Sequence, residues 1–166
     1  QDLAAAVQGL AAVYLTSLDG TNGVKIVGVA SGDGAEDLEL LSAFEPDLPH
    51  LVLGDPTRFR QVLLNLLRNA REALPADGGT ITVTTAHRDG RVFVGISDDG
   101  RGIPRDQIRR VFEPGYTTKS GGTGTGLGLA IVKHVLNAHQ AELHIESELG
   151  KGSTFICAFP PDRRRE

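Results

Sequence analysis

The chain contains no methionine, a single cysteine and no long uncharged apolar run. Each absence removes a class of answer. One cysteine rules out a disulfide framework and leaves too few thiols for a zinc cluster. That residue, Cys157, falls in the alternating run STFICAFP, which suits a small buried hydrophobe. No segment approaches the roughly 20 apolar residues that span a bilayer, and the opening residues do not read as a basic-then-apolar leader. The net charge is −4. Bulk attraction to nucleic acid or to an anionic membrane is therefore not expected. Without methionine even at position 1, the sequence reads as a domain taken from a larger protein.

What is present is 166 residues, enough to bury a core as one soluble domain. Residues 2–18 have high helix propensity with apolar residues on one face. GVKIVGVA, residues 23–30, reads as a strand. Ser31 to Pro49 begins acidic and turns partly apolar at LELLSAF. It reads as a solvated insertion, a surface loop with a short helix.

The best-defined helix is GDPTRFRQVLLNLLRNAREAL, Gly54 to Leu74. Asp55 can cap it and Pro56 suits its first turn. Phe59, Val62, Leu63, Leu66, Leu67 and Ala70 form an apolar stripe. Pro75 and the glycines after it stop the helix. Residues 80–87 and 91–98 both alternate, and Asp89-Gly90 between them suits a tight hairpin turn. A second helix is expected from about Gly126 to Ala138, then a hairpin from AELHIESE to STFICAFP across LGKGS. This order predicts an α/β two-layer sandwich, with a mixed sheet of about five strands and about three helices on one face.

Three places carry candidate chemistry. Asn65 and Asn69 are four apart on the strong helix, about 40° apart around its axis, at the border of the stripe. Two neutral amides there can hydrogen-bond without burying a charge, and a carbonyl oxygen suits Mg²⁺. They read equally as an ordinary polar helix edge. In SDDGRGIP, a strand runs out into Asp98, whose carboxylate can accept a hydrogen bond from an exocyclic amine. The same residues read also as an Asp-Gly turn. The loop FEPGYTTKSGGTGTGLGL leads into a helix mouth, where unpaired N–H groups attract anions. Thr117, Thr118, Lys119, Ser120, Thr123 and Thr125 add donors. Neither the P-loop spacing nor the Rossmann glycine spacing is met, so a nucleotide site here would be of another kind.

In this order, NLLRNA, DDGRGI, FEPGYTTK and GTGLGLAIV resemble the ATP-binding catalytic domain of bacterial sensor histidine kinases, nearest the nitrogen-regulation type with its TTK. The resemblance covers roughly Gly54 to Pro160. It implies a Bergerat sandwich over residues 1–162, with 31–49 as an acidic insertion and 163–166 as a charged tail. It implies ATP and Mg²⁺ as cofactors. Asn69 would coordinate the metal, supported by Asn65. Asp98 would hold the adenine amino group, helped by Thr154. Gly100 and Gly102 would let the chain pass close to the base, and Ile103 would pack near it. Phe112 and Pro114 would anchor a lid. Tyr116, Thr117, Thr118 and Lys119 would lie in that lid over the nucleotide, and the amides of Gly124, Thr125, Gly126, Leu127, Gly128 and Leu129 would hold the phosphates. Asn65, Asn69 and Lys119 would carry catalysis.

The sequence departs from the pattern at Glu72, where many of these kinases have a phosphate-binding lysine; Arg71 or Lys119 would take that role. None of His50, His87, His134, His139 and His144 lies in the family's phosphoacceptor setting. The acceptor histidine is thus expected on a dimerisation helix outside this chain. A response-regulator receiver domain, a cytoplasmic location, a homodimeric parent and a monomeric fragment are implied with it. Asn65 stands where related ATPases and serine-directed kinases use a glutamate base, which predicts slow intrinsic hydrolysis. The rival reading is a degenerate or nucleotide-sensing domain that binds without transfer.

Overall fold

The first turn of the strong helix shows how local chemistry places the rest. Asp55 Oδ1 accepts from the N–H groups of Thr57 (2.8 Å) and Arg58 (3.4 Å), with Pro56 as the first helical residue. The helix, α1, runs Pro56–Ala73. It ends at Leu74, which is extended, as a residue before proline prefers.

The computed structural model describes residues 25–31, 41–43, 54–76, 78–118 and 124–160. The expected helix at 2–18, Lys119 and the 163–166 tail lie outside these residues. The described strands are β1 (Lys25–Ser31), β2 (Leu41–Ala43), β3 (Gly78–Arg88), β4 (Arg91–Asp98), β5 (Glu142–Glu148) and β6 (Gly152–Phe159). Helix α2 runs Gly128–Ala138, and a single 3-10 turn occupies Arg110–Phe112.

The sheet order is β2-β1-β3-β4-β6-β5. Every pairing among these strands is antiparallel, so the expected mixed sheet is corrected to an antiparallel one. The sixth strand, β2, falls inside LELLSAF, where a short helix was expected. Alternation reports which face a residue takes. It is blind to the direction of the neighbouring strand, which is why the expectation of a mixed sheet fails. The β3–β4 turn is as expected: Asp89 (φ 53°) and Gly90 (φ 74°) both take the left-handed conformation that a two-residue hairpin requires.

Both helices cover one face of the sheet. Val62, Leu66 and Leu67 of α1 and Val132, Val135 and Leu136 of α2 meet Ile81, Val94, Ile96, Phe155 and Cys157 in one core. Each fully buried Leu or Val contributes about 1.5–3 kcal/mol. Burial pushes the Cys157 thiol up to about 12, so it behaves as a hydrophobe at neutral pH.

The two helices are also tied end to end. The Asp55 N–H donates to His139 Nε2 (3.2 Å), while His139 Nδ1 donates to the Val135 carbonyl (2.8 Å). The ring of Phe59 packs between His139 and Phe159. These contacts fasten the start of α1 to the end of α2 and so set how the two helices lie against each other.

Candidate functional site

At the end of β4 the chain leaves the sheet, and its two aspartates part. Asp99 Oδ1 accepts from the Thr80 N–H (2.7 Å) and serves the backbone. Asp98 is buried and faces a cleft of about 450 Å³ between α1, the sheet end and the loop before α2. Its Oδ1 accepts from the Gly100 N–H (3.0 Å). Burial raises its pKa above the usual carboxylate value, opposed by backbone N–H groups of Gly100 and Ser153. Neighbouring Asp99 adds to the rise and Arg101 works against it.

The structure gathers most of the expected residues on this cleft. Asn65 and Asn69 line the α1 side, Gly102 and Ile103 the loop after β4. Tyr116, Thr117 and Thr118 line it from one arm of the loop before α2; Gly124, Thr125, Gly126, Gly128 and Leu129 line it from the other arm and the helix mouth. The two arms are clasped at their base, where the Gly115 N–H donates to the Gly126 carbonyl (3.0 Å). Arg101 reaches across the opening to Thr118 Oγ1 (3.3 Å). Phe112 packs against the core.

Three expected residues are placed elsewhere. Leu127 is 46% exposed and does not line the cleft. Gly100 sits against α1: a Cβ there would stand 2.3 Å from the Ala73 carbonyl oxygen, so the loop's approach to the helix end demands glycine. Gly102 (φ 70°) is likewise required by the chain itself, since its Cβ would strike the Glu148 carbonyl. The third is Thr154. It pairs with Ser97, and their hydroxyls are 2.7 Å apart on the face away from Asp98. Ser153, paired with Asp98 and buried, lines the cleft instead. The signal for this was in the sequence: Ser153 is in phase with Phe155 and Cys157, and Thr154 is not. Arg68, Arg101 and Leu149 also line the cleft and were not foreseen.

Two features of the cleft suit a phosphorylated ligand. The N-cap position of α2, Leu127, supplies no side-chain cap, which leaves first-turn donors at the mouth. The buried Nδ2 of Asn69 has no hydrogen-bond partner among the described residues. An unpaired buried amide N–H costs about 1–3 kcal/mol, and being a donor it suits a ligand oxygen. No group of three or more histidine, cysteine, aspartate or glutamate side chains suited to a metal occurs among the described residues. The Oδ1 of Asn69, together with ligand oxygens, would suit a hard cation such as Mg²⁺.

A family model described as "Histidine kinase-, DNA gyrase B-, and HSP90-like ATPase" matches residues 54–163. The chain belongs to this family. It corresponds to the ATP-binding catalytic domain of sensor histidine kinases, and its open antiparallel sheet with covering helices is their Bergerat sandwich. Sporulation kinase C of Bacillus subtilis is 39% identical over 110 residues, which is 66% of this chain and 25% of that one. The adaptive-response sensory kinase SasA of Synechococcus elongatus is 42% identical over 74% of this chain and 32% of its own. Sensor histidine kinase ZraS of Escherichia coli is 36% identical over 83% of this chain and 29% of its own. The chain thus spans a quarter to a third of the length of these relatives. Among solved structures, the mycobacterial sensor histidine kinase MprB superposes with a TM-score of 0.60 at 32% identity, over 66% of this chain and 74% of that one. Full-length ShkA in complex with AMPPNP gives 0.59 at 35% identity, over 66% and 23%. Membership in this ATPase family supports ATP binding. No described helix is long and apolar enough to cross a membrane.

Proposed function

We propose that this domain binds Mg-ATP in the cleft and passes the γ-phosphate to a histidine on a dimerisation helix outside the chain. A response-regulator receiver domain would then accept the phosphoryl group. The observation that carries the reading is one of convergence. Asp98, Asn69 with its unpartnered amide nitrogen, and Gly128 and Leu129 at the start of α2 all line one cleft. They would supply, in order, an acceptor for the adenine amino group, an amide whose Nδ2 donates to a ligand oxygen and whose Oδ1 can hold a cation, and donors for phosphate.

Phosphoryl transfer needs positioning and charge stabilisation more than covalent help from the protein. A histidine nitrogen would attack the γ-phosphorus in line, the bond to the bridging oxygen would break, and ADP would leave. Asn69 would hold a magnesium ion that offsets the phosphate charge. Asn65, beside it, is an amide and cannot take a proton from water, so the bound triphosphate is kept for the acceptor. Lys119, following Thr118 in the lid, would reach the phosphates in place of the lysine that Glu72 displaces. Tyr116, Thr117 and Thr118 would close over them. The TTK sequence supports the nitrogen-regulation type. A dimeric parent and a cytoplasmic site of action follow from the same reading.

The test is transfer in trans. The chain is mixed with ATP labelled at the γ-phosphate and with a separately supplied helical-hairpin domain of the parent protein. Acid-labile, base-stable label on the hairpin is the expected result. Tight nucleotide binding without transfer would favour the sensing-domain reading.

A further inference from the structure

Beside Asp98, four hydroxyl and backbone groups form a short polar chain. Ser147 Oγ accepts from the Ile103 N–H (2.8 Å), donates to the Gly152 carbonyl (3.1 Å) and lies 2.9 Å from Ser153 Oγ. Ser147 and Ser153 are paired across β5 and β6, and Asp98 and Ser153 are paired across β4 and β6. The register therefore sets Ser147, Ser153 and Asp98 in one row at the cleft end of the sheet.

The protons in this row can be counted. A hydroxyl has one proton and can accept twice. A carbonyl only accepts, so the proton of Ser147 is committed to Gly152. An amide N–H only donates, so one acceptor position of Ser147 is committed to Ile103. The contact between the two serines then has one assignment that satisfies every group. Ser153 donates its proton to Ser147. What Ser153 keeps for the cleft is lone pairs, and the ionised carboxylate of Asp98 beside it also only accepts.

We propose that Ser147 is a positioning residue for ligand choice: it holds the Ser153 hydroxyl as an acceptor, so that this end of the cleft favours a ring edge carrying a donor amine. The proposal rests on the nucleotide reading above. It adds that discrimination between a 6-amino and a 6-oxo purine is set partly by a residue that need not touch the base. Without Ser147, the Ser153 hydroxyl can turn and donate. A 6-oxo group then finds a donor where the wild type offers none.

The test compares ATP with inosine triphosphate, which differs in carrying oxygen for the amine. Affinities are measured by calorimetry for the wild type, Ser147→Ala, Ser147→Thr and Ser153→Ala. The wild type should prefer ATP. Ser147→Ala should lower the ATP-to-ITP preference by about tenfold, the worth of one exchanged hydrogen bond. Ser147→Thr keeps the hydroxyl and should restore the preference. Ser153→Ala should weaken ATP with no gain in ITP. A preference unchanged in Ser147→Ala, with ATP still bound, overturns this inference and leaves the nucleotide reading intact. A wild type that binds neither nucleotide overturns the nucleotide reading itself. A ligand-free measurement addresses the chain directly: amide exchange at Ile103 should quicken at least about tenfold in Ser147→Ala if the amide loses its acceptor. Unchanged exchange would contradict the hydrogen-bond chain.

Discussion

Asn65 on α1 lies against Gly128, the first residue of α2: a Cβ built on Gly128 would stand 3.6 Å from Asn65 Oδ1. The amide line and the anion-seeking helix mouth thus meet at one point, though 63 positions separate them in sequence. A carboxylate placed there would face water and the triphosphate together. Wild-type hydrolysis should be slow, and Asn65→Glu should raise phosphate release several-fold over the wild type in a coupled assay. Fast hydrolysis by the wild type would contradict the assignment of Asn65 as a non-basic residue.

The two glycines at the lid base should respond differently to alanine. Gly126 is left-handed (φ 64°), and a Cβ there would lie 2.4 Å from the Gly115 carbonyl carbon. Gly126→Ala should cost about 1–3 kcal/mol, from backbone strain and the forced opening of the lid clasp. At Gly128 the added methyl would make ordinary contact, so Gly128→Ala should leave stability within about 0.5 kcal/mol. Urea denaturation of both variants separates them.

Asp98 should show opposite effects on stability and on binding. Its pKa is raised in the folded state, chiefly by burial. The native state therefore holds this proton more tightly than the unfolded chain does. The contribution of Asp98 to stability is present below its unfolded pKa and is lost as pH rises through the folded one. At neutral pH the ionised form carries a cost that Asp98→Asn removes, while its amide oxygen can still accept from Gly100. The variant should melt no lower than the wild type and lose at least about tenfold in ATP affinity, as one charge-assisted hydrogen bond would require. ATP binding by the wild type should weaken on acidification from a higher pH than an ordinary aspartate would give. A pH series of titrations checks the sign.

The core makes a plainer prediction. Leu66 is almost fully buried between α1 and the sheet, and Leu66→Ala should cost about 2–5 kcal/mol in urea. Cys157, with its thiol pushed to about 12, should resist thiol reagents in the native state at pH 8. It should react at once in denaturant. Rapid native labelling would contradict its burial.

Much of this was legible because local chemistry and global packing agree. The Asp55 cap, the apolar stripe of α1 and the Asp89-Gly90 turn each specify their element without help. The amides, the carboxylate and the glycine loop could be read as candidates, and only their order made them a set. Other features need the third dimension. Gly100 and Gly102 look like ligand-facing glycines in sequence, yet each is demanded by the protein's own backbone. Ser153 was overlooked for Thr154, although the alternation that buries Cys157 points to it. The antiparallel direction of the sheet and the strand inside LELLSAF depend on pairings that a single segment does not encode.

The central claim is that Asn69 and Asp98 frame one Mg-ATP site, and calorimetric titration with ATP tests it most directly. Titrations are run with and without Mg²⁺, on the wild type and on Asn69→Ala. Mg²⁺ should tighten ATP binding to the wild type at least about tenfold and should have little effect on Asn69→Ala. A wild type that does not bind ATP, or an Asn69→Ala variant with the full Mg²⁺ dependence, would contradict the account.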